Sequence, residues 1–236
     1  MPDDLETLKA QIMAEVYEKR MLLTSIRDRR EGWTLVSGLW SPFYVQLRLL
    51  SSFPETLQKV GKAMAILLEN EAPDVNKIIG IAFAGVPIAT AISLESKLPA
   101  CHTRKMVGVR NEEDLQRAIE EYGQHSMIEG IIEDGDVLCI VDDLVTRMES
   151  KLVARAQVLA EIERRNVRNV SCDHIAVVVD RQQGAAERAK EFNLRLHSLI
   201  GLVDEGVPLL RSVMSSEEYD LVSGYLANPQ EYPPPE

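Results

Sequence analysis

Val137-Leu138-Cys139-Ile140-Val141-Asp142-Asp143-Leu144-Val145-Thr146-Arg147-Met148-Glu149-Ser150 runs from five consecutive apolar residues into two adjacent carboxylates and then into a polar turn. A short unbroken apolar run is the pattern of a strand buried on both faces, since a half-exposed strand would alternate apolar with polar side chains. A carboxylate pair at its end is costly to dehydrate unless it reaches solvent, a cation or ligand hydroxyls. Two ribose hydroxyls would satisfy it. The residues beyond the pair, LVTRMESKLVARAQVLAEIERRN, read as a helix. The free N–H groups at its start, with Thr146 and Ser150, suit a phosphate. The alternative is that the acids only cap that helix.

Two similar units lie on either side. KIIGIAFAG is an apolar run ending at Gly85 and leads into the helical pattern VPIATAISLESKLP, while HIAVVVD leads into RQQGAAERAKEFN. Buried strands alternating with helices predict an α/β fold with a central, mostly parallel sheet flanked by helices. Such sheets bind ligands at the carboxyl ends of their strands. This directs attention to Phe83–Pro87, Asp142–Ser150 and Asp180–Gly184.

Farther out, Leu5, Leu8, Ile12 and Val16 have helical spacing behind Asp3 and Asp4, predicting a helix to about Met21. WTLVSGLWSPFYVQLR, broken at Ser37-Gly38 and Ser41-Pro42, reads as a small β-hairpin or hood, and Pro54 opens a helix ending near Pro73. Arg104 to Gly130 is polar and poor in apolar periodicity, suiting either a mobile lid or an exposed helix around Glu112–Glu121. The expected organisation is one structural domain in three parts: helix and hood at 1–50, α/β core at 51–205, and helix with a proline-rich tail at 206–236.

Acids outnumber bases by 37 to 26 for a net charge of −11, which disfavours a nucleic-acid or anionic-membrane partner. The N-terminus lacks an apolar signal region, and no run is long enough to span a bilayer. Cys101, Cys139 and Cys172 are an odd number without metal-ligand spacing, a usage that suits a reducing, cytoplasmic setting.

VLCIVDDLVTRMES resembles the phosphoribosyl-pyrophosphate signature of type I phosphoribosyltransferases. WTLVSGLWSPFYVQLR is similar to the hood of the orotate phosphoribosyltransferases within that group. IAFAGVPIATAISL resembles their pyrophosphate loop and helix, the Arg104-Lys105 pair their Arg-Lys pair, YGQHSMIEG the end of their catalytic loop, and VVVDRQQGAAERAKEFNLRLHSL their base-binding strand and helix. These segments follow the family order over about residues 20 to 205.

The resemblance implies transfer of a phosphoribosyl group from phosphoribosyl pyrophosphate to orotate, giving orotidine monophosphate and pyrophosphate in pyrimidine nucleotide synthesis. It implies Mg²⁺ held mainly through substrate, and a homodimer. Asp142 and Asp143 would hold the ribose hydroxyls, and Thr146, Arg147 and Ser150 would lie in the 5′-phosphate loop, with Thr146 also reaching orotate. Arg181 would pair with orotate through its planar guanidinium. A surface ion pair with Glu187 is the alternative. Ala84 and Gly85 would admit pyrophosphate to the backbone. Arg104 and Lys105 would offset its charge, unless they only solvate a strand end.

The chain departs from the family pattern at several points. Arg147, Met148 and Glu149 stand where small residues and glycine follow Thr, putting bulk and like charge where a phosphate would sit. Glu120 stands where the catalytic loop carries lysine, with Arg110 or Arg117 as replacements, and the hood has Val36 for lysine and Gln46 before Leu-Arg. These departures leave two other readings open: a catalytically degenerate nucleotide-binding regulator, or a transferase for a different base.

Overall fold

The structure is a computed structural model describing residues 4–35, 38–109, 111–122 and 125–232, without the side chains of 112 and 120–122. Two compact units divide the chain, Met1–Thr56 with Ile200–Glu236 and Leu57–Leu199.

In the first unit, the Asp4 carboxylate accepts from Thr7 N–H at 2.8 Å and caps helix α1, Leu5–Glu18, whose Leu8, Ile12, Met13 and Val16 are buried. The helix stops short of the expected Met21 because Arg20 turns into the left-handed region, with φ 60°. Strand β1, Leu22–Thr24, pairs antiparallel with β4, Phe43–Val45, and β2, Trp33–Thr34, pairs with β3, Trp40–Ser41. The aromatic passage is thus made of short ribbons. Trp33 stacks on Tyr44, while Trp40 meets Tyr225 edge-on.

Helix α2, Pro54–Glu71, leads into the α/β unit. There follow β5 (Lys77–Gly80), α3 (Gly85–Ser96), β6 (Ala100–Thr103), α4 (Glu112–Tyr122) and β7 (Ile128–Glu129). The next elements are β8 (Val137–Val145), α5 (Glu149–Arg165), β9 (Ser171–Asp180), α6 (Ala185–Glu191) and β10 (Arg195–Gly201). The sheet order is β10-β9-β8-β5-β6-β7, with the central pairs parallel and β6–β7 antiparallel. Two strand ends differ from the sequence expectation. β5 stops at Gly80 rather than running to Gly85, and β8 continues through both acids to Val145. Ile79, Leu138, Ile140, Ile175 and Val177 form a core with Val158 of α5 and Ala185 and Ala189 of α6, while α3 lies against β5 and β8.

His174 of β9 and His197 of β10 are stacked and buried, with Nδ1 to Nε2 at 3.0 Å, and Glu71 and Asp74 lie at either end of the chain they form. Burial holds His174 below the usual histidine range. Both histidines are structural members of the sheet.

The polar passage after β6 folds against α5. Leu115, Ala118 and Ile119, at helical spacing on α4, join Met106 and Met127 and meet Ala156 and Ala160. The apolar periodicity missed in the sequence is this three-residue stripe. Beside it, fully buried Glu161 accepts from Arg164, Arg165, Met127 N–H and Ser126 Oγ. Burial alone would raise its carboxyl, but these donors outweigh burial and hold it at about 2. A depressed carboxyl contributes stability above its ordinary pKa of 4.5 and loses it as pH falls toward about 2. Glu161→Gln should therefore lower stability by on the order of 2 kcal/mol at pH 7, the scale of charge-assisted hydrogen bonds. The deficit against wild type should shrink as denaturant melts are repeated from pH 4.5 down to pH 2.5.

Candidate functional site

Register brings the carboxyl ends of four strands together. Gly80 stands beside Val141 and His102, Leu144 beside Val179, and Val145 beside Asp180. The turns that follow are tied across the strands. Ile81 N–H donates to Val141 O at 2.9 Å, Ala82 N–H to Thr103 Oγ1 at 2.9 Å, and Arg181 N–H to Val145 O at 3.0 Å. Residues 81–85, 104–105, 142–150 and 180–184 therefore share one edge of the sheet. These take in Asp142–Ser150, Asp180–Gly184 and the first part of Phe83–Pro87, whose Gly85–Pro87 open α3.

At the centre stands the acid pair. Asp142 is buried, and its Oδ2 lies 2.7 Å from Nζ of Lys151, itself buried on the first turn of α5. The same ammonium donates to Leu144 O at 2.6 Å and reaches Ser150 Oγ at 3.3 Å. Asp143 is half-buried and accepts from Leu144 N–H at 2.8 Å. Burial first, then the neighbouring Asp142 charge, push its carboxyl up to about 6, while Lys151 pulls the other way. Lys151 was not singled out from sequence. The available signal was a lysine in the first turn of a helix, where the dipole disfavours a cation, close in sequence to two acids.

The turn between the acids and α5 places Thr146 half-buried and Arg147, Glu149 and Ser150 exposed. Met148 corrects an expectation. Its side chain is turned into the core with Val145, Val158 and Ala185, so its bulk does not fill the turn. What it does bring is a left-handed backbone, φ 75°, where glycine is the relaxed choice. Its carbonyl accepts from the Lys151 and Leu152 N–H groups at 2.8 and 2.9 Å, opening α5.

In the 81–85 turn, Ala84 is half-buried beside the exposed Phe83, and the Ala82–Phe83 peptide is cis. The Gly85 N–H already donates to Ile81 O at 2.8 Å, and a Cβ there would lie 2.2 Å from Val141 O. The packing of α3 against β8 by itself thus demands glycine here. Arg104 and Lys105 are exposed past β6. The Arg104 guanidinium lies 3.5 Å from Glu129 and 3.5 Å from Ser126 O. Arg181 is half-buried in the turn after β9, where Asp180 accepts from Gln182 N–H at 2.7 Å and Gly184, φ 98°, precedes α6. Burial raises the Asp180 carboxyl.

Arg117 pairs with Asp114 of its own helix at 2.7 Å, and Gln46 of the hood donates to Arg20 O at 3.0 Å. Arg110 and Val36 lie outside the described residues, and the Glu120 side chain is not described.

No family model matches the chain. It is 30% identical over 191 residues to the orotate phosphoribosyltransferase of Methanosarcina mazei, covering 79% of this chain and 91% of that protein. It is 33% identical over 166 residues to that of Methanocaldococcus jannaschii, covering 70% and 82%. Among solved structures, Mycobacterium tuberculosis orotate phosphoribosyltransferase with Fe(III) dicitrate is similar at TM-score 0.60 and 26% identity, covering 84% of this chain and 98% of that one. Leishmania donovani UMP synthase shares the fold at TM-score 0.74 and 24% identity, and this chain, 94% covered, spans 43% of that longer protein.

Because Gly85 is held by Val141 O, Gly85→Ala should lower the denaturation midpoint by the equivalent of about 1–3 kcal/mol, the scale of overpacking a tight core. An unchanged melt would mean that α3 does not need this approach.

Proposed function

The chain belongs to the orotate phosphoribosyltransferase family, and we propose that it transfers the phosphoribosyl group of phosphoribosyl pyrophosphate to orotate, giving orotidine monophosphate and pyrophosphate. The observation that carries this reading is the convergence at one sheet edge of the acid pair, the 81–85 turn, Arg104-Lys105 and the Asp180-Arg181 turn. Each of these segments matches a family motif in sequence.

The roles follow from position. The end of β8 offers a carboxylate to the ribose hydroxyls, and the Thr146–Ser150 turn at the start of α5 receives the 5′-phosphate. The 81–85 turn and the exposed Arg104 and Lys105 face the pyrophosphate, whose charge grows as its bond to the anomeric carbon breaks. Arg181 holds the orotate carboxylate so that its ring nitrogen meets that carbon from the opposite face.

Among the described residues no group of three His, Cys, Asp or Glu side chains is arranged to hold a metal ion. A hard cation that arrives on the diphosphate and keeps substrate and water oxygens as ligands fits this edge. Bound in that way, Mg²⁺ would disperse the charge of the departing pyrophosphate.

The same reading takes the protein as a cytoplasmic homodimer that binds neither nucleic acid nor membrane. It draws on the acidic net charge, on three free buried cysteines, and on described helices of which none is long and apolar enough to cross a membrane.

A second reading, a degenerate relative that binds a phosphoribosyl ligand without turnover, rests on the Asp142–Lys151 pair and on Glu149 in the phosphate turn. The purified protein with phosphoribosyl pyrophosphate, Mg²⁺ and orotate should consume orotate absorbance and release pyrophosphate in equal amounts. Arg181→Gln should raise the orotate KM at least tenfold with little change in that of phosphoribosyl pyrophosphate. Binding without turnover would favour the degenerate reading, and turnover with another base but not orotate would reassign the acceptor.

A further inference from the structure

A lysine at the third position of a helix is opposed by the helix dipole, and burying its ammonium adds a desolvation cost. Lys151 occupies such a position with almost no exposure. Its three donors are directed at Asp142 Oδ2, Leu144 O and, more distantly, Ser150 Oγ. All three partners belong to the stretch between the acid pair and the start of α5. A residue that breaks two local rules, and whose partners among the described residues are groups of the ligand site, is tied to that site's working.

The two acids stand in different circumstances. Asp142 is 7% exposed, with one carboxylate oxygen taken by Lys151. Asp143 lies nearer to solvent, oriented by the Leu144 N–H. We propose that Lys151 is a positioning residue for the ribose site: it holds Asp142 from the helix side as an internal ion pair, so that Asp143 is the carboxylate presented to the ribose hydroxyls. This rests on the phosphoribosyl reading of the site and divides a role that the family resemblance gives to both acids.

The charges acting on Asp143 are Asp142 on its own strand, which disfavours its ionisation, and Lys151 on α5, which favours it. Removing the lysine alone leaves a buried unpaired carboxylate beside Asp143. Removing lysine and Asp142 charge together leaves an uncharged pair of similar volume, a change that buried ion pairs often tolerate.

The test uses the full chain and ribose 5-phosphate, with binding followed by calorimetry from pH 5 to pH 8. Wild type is compared with Lys151→Met, with the double variant Lys151→Met, Asp142→Asn, and with Asp143→Asn. The titration of the probe's own phosphate is common to all four, so differences in midpoint belong to the protein. Relative to wild type, the midpoint should move up in Lys151→Met and down in the double variant. At pH 8 the double variant should bind within about threefold of wild type, the equivalent of less than 1 kcal/mol. Asp143→Asn should bind at least tenfold more weakly.

If Lys151→Met does not fold, the double variant and Asp143→Asn decide alone. A double variant as impaired as Asp143→Asn, or a midpoint identical to wild type, overturns the proposal. Failure of wild type to bind ribose 5-phosphate overturns it together with the reading on which it rests. Binding with the expected midpoints but without orotate turnover would sink the transferase reading and leave this one standing.

Discussion

Val141 O and the missing side chain of Gly85 meet where helix α3 enters the sheet, and the site depends on that approach. With no Cβ in the way, the N-terminus of α3 lies directly on β8, one residue before the acid pair. The Ile81 N–H fastens the preceding turn to the same Val141 carbonyl. Parallel register then does the rest, carrying the ends of β6 and β9 to the same level. The turns that form the site thus inherit their positions from strands whose residues are mostly buried, and a ligand met there faces pre-set groups.

Against this frame the acid pair is held under electrostatic tension. Two adjacent carboxylates at the end of a buried strand repel each other, and the chain relieves this with an ammonium from the helix that follows. The outcome is asymmetric: Asp142 is enclosed and paired, while Asp143 is raised to about 6 by burial and by its neighbour. An asymmetric pair of this kind would bring the titration of the proposed ribose site closer to neutrality than a symmetric exposed pair would.

The strands and helices of the α/β unit were legible because each is a long run of one period, and the acid pair because charge at the end of an apolar run has few explanations. Less was legible where one residue serves two demands. Met148 looked like an obstacle in a phosphate turn because sequence does not show which way a side chain at positive φ points, and here it points into the core. Helix α4 matches the helical alternative read around Glu112–Glu121, but its many charges hid the apolar stripe of Leu115, Ala118 and Ile119 that seats it. Lys151 was not singled out, since its partner nine positions earlier is on a strand and meets it only through the turn between them. Gly85 is a constrained position as read, and the constraint that packing sets, against Val141 O, was not visible in the sequence.

The central claim is that one sheet edge binds the whole of phosphoribosyl pyrophosphate, and a crystal structure of the protein soaked with that compound and Mg²⁺ tests it most directly. The account predicts the 5′-phosphate against residues 146–150, the ribose hydroxyls at Asp143, the pyrophosphate over residues 81–85, and the Asp142–Lys151 pair intact. Density for the compound away from this edge, or a ribose that draws Asp142 off Lys151, would contradict it.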